Sequence, residues 1–384
     1  MDKKEFLTKR ERVTRAIEHK SLDRYPIDLG MHFSSGISAF AYYNLRKHLG
    51  LSVDNVEIAD TVQVLARVDE DILDMFHCDA VLLRPRWVKT MKWAPIPGFE
   101  FTIPSKMNPS KDNEGCWYVR DGDMAMSMPP GSFFFDGHWL ETCEFDETEY
   151  IKQTAKEAER IFKETDYFTS FLSCGGYFDG MDFACEMYTD PELVLQKNKM
   201  LHKRNLELVE QLVKQAGDYI GGILLSADLG TQNAPMCDPE MYAEFCAPFL
   251  KEFCSVVHNS SGMKVQLHSC GAVEPFIPHF IEAGVDILNP VQISATGMDP
   301  KTLKEKYGNQ ICFWGGGCNT QHILHSGSQD DVRQNVKNLT DVFKENGGYV
   351  FNAVHNIMGE VPPENIIAMY EAAYENSIYE TINA

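Results

Sequence analysis

Short apolar runs alternate along the chain with longer stretches in which apolar residues recur every three or four positions, a pattern that predicts strands followed by helices. Eight runs read as strands: residues 25–30, 80–83, 168–173, 222–227, 264–268, 285–289, 311–314 and 349–353. Helical patterns lie between most of them, for example over residues 191–216, 239–258, 273–283, 331–345 and 363–376. Several of these open on Asp-Pro or Pro-Pro, where the missing proline N–H costs a helix nothing. Eight strand–helix units predict an α/β chain whose mainly parallel sheet closes into a (β/α)8 TIM barrel, one domain over residues 1–384.

Two segments break the repeat. Residues 1–24 read as a charged amphipathic helix that caps the barrel, with Phe6, Val13 and Ile17 on its buried face. From about residue 87 to 148 the chain turns aromatic and turn-rich, with Trp87, Trp93, Phe99, Phe101, Trp117, Phe133, Phe135 and Trp139 among Pro, Gly and Asp. This predicts a β-rich insertion, either a lid that shapes an apolar substrate site or a satellite core on the barrel edge.

Charge narrows the partners. A formal net charge of −21, from 35 basic and 56 acidic residues, opposes nucleic-acid backbones and anionic lipid, and no local basic patch offsets it. No apolar span reaches membrane length and the opening Met1-Asp2-Lys3-Lys4-Glu5 lacks a signal-peptide core, so a cytoplasmic protein is expected. Eleven irregularly spaced cysteines then suggest reduced thiols with metal or packing roles, without disulfides. Nucleotide chemistry is disfavoured: no GxGxxG follows the first strand, and Gly315-Gly316-Gly317 lacks the Lys-Ser/Thr of a phosphate loop. A GxSxG elbow is absent too.

In such barrels chemistry gathers where the strands end at their carboxyl side. After the fourth strand comes Asp228-Leu229-Gly230, after the fifth His268 and Cys270, and after the sixth Asn289-Pro290-Val291-Gln292. Cys318 follows the seventh, and His355-Asn356 the eighth. Strand alternation puts His268 and Cys270 on one side, and the three glycines before Cys318 let the backbone turn sharply, so His268, Cys270 and Cys318 read as a zinc site. Three ligands of this kind leave a fourth position open, as catalytic zinc requires. The competing reading is plain core filling, because cysteine is among the most buried residue types. Asp228 and His355 are candidate proton donors, and Asn289, Gln292 and Asn356 candidate substrate contacts, by position at the mouth; helix capping and turn closure compete for the same residues.

At this point the chain resembles the uroporphyrinogen decarboxylase superfamily. The resemblance rests on Thr8-Lys9-Arg10-Glu11-Arg12-Val13 with Asp23-Arg24-Tyr25-Pro26-Ile27, on Asp228-Leu229-Gly230, on Leu267-His268-Ser269-Cys270-Gly271 and on Phe351-Asn352-Ala353-Val354-His355-Asn356. True decarboxylases of that superfamily carry an N-terminal Arg-Gln-Ala-Gly-Arg segment for the propionates of their substrate. Here Asp28-Leu29-Gly30-Met31-His32-Phe33-Ser34-Ser35 stands instead, without an arginine. The other branch is similar in its His-x-Cys, long gap, Cys zinc pattern, matched by His268, Cys270 and Cys318. It implies a cobalamin-dependent methyltransferase of anaerobic one-carbon metabolism, with Zn2+ as cofactor and a separate corrinoid protein as partner. A fourth ligand, Asp228 or Glu186, stays open, as does a homodimer. The aromatic insertion favours a methoxylated aromatic methyl donor and O-demethylation. Methyl transfer from a methyl-corrinoid to a thiol, and a decarboxylase, are the alternatives.

Overall fold

The computed structural model describes residues 5–140 and 142–379; the first four residues of the expected leading helix lie outside it. Six parallel strands run side by side in chain order: Ser170–Gly175, Gly222–Ser226, Lys264–His268, Ile287–Asn289, Cys312–Trp314 and Tyr349–Val350. Two further extended stretches close the ring. Ile27 bridges Phe351 and Ala80 bridges Phe168, both in parallel, while Asp79 N–H donates to the Ile27 carbonyl at 2.7 Å. The predicted eight-stranded α/β barrel is thus complete, its first and second strands short and joined by isolated bridges.

Inside the ring, Phe168, Ile287, Cys312, Trp314 and Val350 form an apolar plug with Met31 and Ala80. The helix Lys9–Ile17 adds Val13, Ala16 and Ile17 to this cluster, so it stoppers one end of the barrel as expected. Phe6 does not share in that burial: it precedes the helix and is 55% exposed, in place of the buried face predicted for it. Thr8 caps the helix by accepting the N–H of Glu11.

The outer helices follow their sequence patterns. Pro191–Ala216 starts on an Asp190 cap with proline in the first turn, and Val194, Leu208, Val209 and Leu212 fall on its buried face. The single helix predicted over 239–258 is instead two, Pro239–Phe245 and Ala247–Ser260. Pro248 has no N–H for the preceding turn, so the helix restarts at Cys246.

The insertion is β-rich as predicted. Thr90–Trp93 pairs with Phe101–Pro104, and Ser110–Lys111, Trp117–Asp121, Met124–Met128 and Asp136–Gly137 form an antiparallel sheet. Its aromatics mostly pack on each other: Phe40 of the helix Ala39–His48 meets Phe99, Phe101 and Phe133 at 5.0 to 5.3 Å between ring centres, and Trp93 meets Trp117 at 5.6 Å. Between lid and satellite core, these rings form a core. No helix among the described residues is long and apolar enough to cross a membrane, and Cys78, Cys174, Cys246, Cys254, Cys270, Cys312 and Cys318 are free thiols.

One buried charge links the plug to the barrel mouth. Asp28, fully buried at the end of the first strand, accepts from Trp314 Nε1 and from Met31 N, each at 2.9 Å. Burial pushes its carboxyl up to about 6 against the hydrogen bonds that favour the anion. A raised folded-state value means the folded protein holds the proton more tightly than the unfolded chain. The resulting stability is fully present below about pH 4 and is lost as pH rises through about 6. In Asp28→Asn that component of the pH dependence is expected to vanish, which denaturant midpoints of the two proteins between pH 4 and 7 will show; parallel curves would refute it.

Candidate metal centre

The turns after the fourth and fifth barrel strands meet backbone to backbone. Gly271 has φ +88°, and a Cβ there would lie 2.2 Å from the Gly230 carbonyl oxygen. This close approach lets Asp228 Oδ1 accept the Cys270 N–H at 2.9 Å and brings it 3.5 Å from His268 Nε2. His268 and Cys270 point the same way, as strand period requires, with Nε2 and Sγ 3.5 Å apart. His355, from the loop after the eighth strand, completes the group. One ligand atom from each of His268, Cys270 and His355 lies within 4.8 Å of the others.

A buried network sets the orientation of His268. Asn289 is fully buried and its Nδ2 donates to the Trp314 carbonyl at 2.9 Å, so its Oδ1 must face the other way. That oxygen accepts from the Ser34 hydroxyl at 2.8 Å and from His268 Nδ1 at 3.2 Å, while Ser34 Oγ also lies 2.8 Å from His268 Nδ1. With its proton held on Nδ1, the ring presents Nε2 to Cys270. This is the outer-shell arrangement that prepares a histidine for a metal. His32 stands behind it, its Nδ1 accepting the Ser34 N–H at 3.0 Å, and its ring meets that of His268 edge-on at 6.2 Å.

The electrostatics fit a cation. Burial opposes charge on His268, yet hydrogen bonds and proximity to Asp228 and Cys270 outweigh it and push the ring up to about 10. Asp228, with burial opposing and His268 favouring its charge, is held down to about 2. His355 is pressed to about 4 by burial and by His268. The metal-free group therefore holds a proton on Nε2 where a metal would sit, and an ion must displace it to bind. An imidazole pair and one thiol, with an open side, suit a borderline-soft divalent ion such as zinc.

The expected site changes in several places. Cys318 does not converge with His268 and Cys270 among the described residues. Its thiol is fully buried in the apolar core and burial pushes it up to about 12, whereas metal ligation needs the thiolate; the ladder from Gly317 N–H to the Asn352 carbonyl and from Val354 N–H to the Cys318 carbonyl keeps it in the core. His355 stands beside them instead, its ring pressed to about 4 and so neutral at pH 7. Asp228, although buried, is held down to about 2 by His268 and by the Cys270 N–H, and so faces the group as an anion. Glu186, kept open as a fourth ligand, pairs with Lys197 instead.

All three expected substrate contacts hydrogen-bond within the protein, and two of them, Gln292 and Asn356, also line a cavity at the mouth. Asn289 orients His268, and Asn356 accepts from Gly36 N and donates to the Phe33 carbonyl and to Gln63 Oε1, clamping the loop after the first strand. Gln292 accepts from Gly271 N and donates to Gln232, at the lip of a cavity of about 550 Å³ that also takes in Thr320, His325, His355 and Glu360. His32 and Ser34 went unread in the sequence, although they follow the first strand as His268 follows the fifth.

Comparison with known proteins agrees with the fold. Residues 168–376, more than half of the chain, match the uroporphyrinogen decarboxylase family. A curated relative, the uroporphyrinogen decarboxylase of Trichodesmium erythraeum (strain IMS101), is 25% identical over 199 residues, which are 50% of this chain and 53% of that protein. The chain thus spans about half the length of the curated relative it matches. A methyltransferase from Methanosarcina mazei superposes with a TM-score of 0.59 at 15% identity over 96% of this chain and 99% of the other, so the two share a fold. The carboxyl transferase domain of Rhizobium etli pyruvate carboxylase covers 62% of the chain at a TM-score of only 0.24, too low to carry an argument. With the barrel, the strand-end site and the match across its C-terminal half in agreement, the chain belongs to the uroporphyrinogen decarboxylase family.

Proposed function

We propose that the protein is a zinc-dependent methyltransferase that moves a methyl group from a methoxylated aromatic donor to the cobalt of a separate corrinoid protein. The observation that carries this reading is the His268–Cys270–His355 group, with its ring oriented by Ser34 and Asn289 and its open side at the barrel mouth. A decarboxylase working on a polycarboxylate would need cationic partners. The loop after the first strand supplies His32, Phe33 and Ser34 there, Arg84 after the second strand is a single cation beside it, and the acidic group at the mouth includes Asp228, a poor match for several carboxylates.

The residues would hold zinc through His268 Nε2, Cys270 Sγ and one His355 nitrogen; bound there, the ion supplies Lewis acidity toward an ether oxygen. The chemistry requires two electrons from the reduced cobalt to form the bond to the methyl carbon while the C–O bond breaks and its pair stays on oxygen. Asp228 fixes Cys270 through its backbone N–H, and Ser34 and Asn289 fix the tautomer of His268. Gln292 holds the turn at Gly271, which keeps the mouth shaped around the group. A corrinoid partner must reach the open face, and the insertion, closed on its own aromatic core, leaves the role of a moving lid unneeded.

The test is turnover. Purified protein with about one equivalent of zinc, a reduced corrinoid protein and a panel of methoxyarenes, methanol and methylated thiols should show the cobalt absorption change only with the methoxyarenes. A response confined to thiols would redirect the proposal to the thiol branch, and none with any donor would overturn it.

A further inference from the structure

Beside the metal group lies a second cavity, of about 410 Å³, between the third barrel strand and the helices Glu147–Glu164 and Pro191–Ala216. Phe33, Tyr150, Phe171 and Leu172 give it flat apolar walls, and Arg84 and Arg204 bring two cations to it. Phe33 precedes Ser34 in the chain, and the Ser34 hydroxyl lies 2.8 Å from His268 Nδ1, so the loop after the first strand reaches both the cavity and the metal group.

The two arginines differ. Arg204 is at the exposed outer lip beside Glu147, 3.4 Å away, and Asp146 there is used as the cap of its helix. Arg84 follows the second barrel strand, toward the mouth. It makes no ion pair among the described residues; its guanidinium lies 5.1 Å from the Phe33 ring centre and 4.8 Å from that of Trp87, and its buried Nε has no hydrogen-bond partner. In a chain of net charge −21 most cations find a carboxylate. A guanidinium held between two rings with an unused donor is prepared for an anion brought by something else.

We infer that this cavity binds the carboxylate-bearing end of a planar aromatic ligand, with Arg84 as the specificity-determining residue. Resting on the methyl-transfer reading above, this narrows the donor to an aromatic acid whose methoxy group lies away from the carboxylate. The ring stacks among Phe33, Phe171 and Tyr150, and Arg84 pairs with the carboxylate.

Calorimetric titration of zinc-loaded and of metal-free protein with 4-methoxybenzoate, its methyl ester and methoxybenzene tests this. The acid is expected to bind at least tenfold more tightly than the ester. In Arg84→Gln that preference should fall below about twofold while zinc content and thermal midpoint stay at wild-type values, and Arg84→Lys should restore part of it. Equal binding of acid and ester to the wild type, binding of neither, or a preference that survives in Arg84→Gln would overturn the inference. An Arg84-dependent preference in protein that retains no zinc and transfers no methyl group would uphold the cavity's assignment and overturn the methyl-transfer reading, so the two failures are distinguishable.

Discussion

His268→Ala, Cys270→Ala and His355→Ala are each expected to leave purification with well under one equivalent of zinc and without methyl transfer, while Cys318→Ala keeps both. The first three supply the ligand atoms that lie within 4.8 Å of one another, and a site of three protein ligands has none to spare. Cys318 is packed in the apolar core, so its truncation costs about 1 kcal/mol of stability through a small cavity and leaves the metal in place. Asn289→Ala should fall between. It removes the acceptor that holds the proton on His268 Nδ1, and such outer-shell partners are typically worth about 10- to 100-fold in metal affinity. Metal analysis after dialysis against a competing chelator ranks the five proteins. Full zinc in His355→Ala together with loss in Cys318→Ala would reinstate the two-sulfur site and remove the one described here.

The contrast between Cys318 and His355 shows which physics is legible in a sequence. Strand period alone places His268 and Cys270 together, because two residues apart on a strand is a same-side relation whatever surrounds it. The eight strands were readable for a similar reason: buried parallel strands are apolar on both faces and stand out as runs. Three glycines before Cys318 announce a turn without saying where it leads. The backbone ladder to residues 352–354 then decides that the thiol faces the core. His32, Ser34 and Arg84 sit in loops after the first and second strands, where no period exists and the strands themselves are pairs of bridges. Asn289 and Asn356 look in sequence like substrate contacts because their amides are versatile. Only the packed structure shows those amides already committed, one to a histidine and a tryptophan carbonyl, the other to a loop.

The largest loss of stability is expected from Asp79→Ala, at the opposite end of the barrel from the metal group. Asp79 has a fully buried side chain on the second barrel strand, whose backbone joins the first strand at Ile27 and the third at Phe168. Its Oδ1 accepts from Arg12 Nη1 at 2.6 Å and Arg24 Nη2 at 3.0 Å, and its Oδ2 from Arg24 Nη1 at 2.7 Å and from Ile27 N at 2.8 Å. Both guanidiniums are buried as well, with side chains 1% and 2% exposed. Asp23 also engages Arg12, at 2.7 Å, and although burial opposes its charge, hydrogen bonds from Arg12 and from Leu7 and Phe6 N–H hold its carboxyl well below the usual range. Truncating Asp79 leaves Arg24 with the half-exposed Glu5 as its remaining carboxylate and strands a backbone N–H. Breaking a buried pair from one side typically costs about 3–5 kcal/mol, because the surviving charge stays desolvated without a partner. Asp79→Asn keeps an acceptor for Ile27 N but not the charge, so it should recover only the part due to that hydrogen bond, about 1–3 kcal/mol. Because Arg12 belongs to the helix that stoppers the barrel, amide exchange in Asp79→Ala should rise first over residues 9–17 and 24–27. A urea midpoint for Asp79→Ala within about 1 kcal/mol of wild type would show that solvent reaches these arginines and that the helix is held by Val13, Ala16 and Ile17 alone.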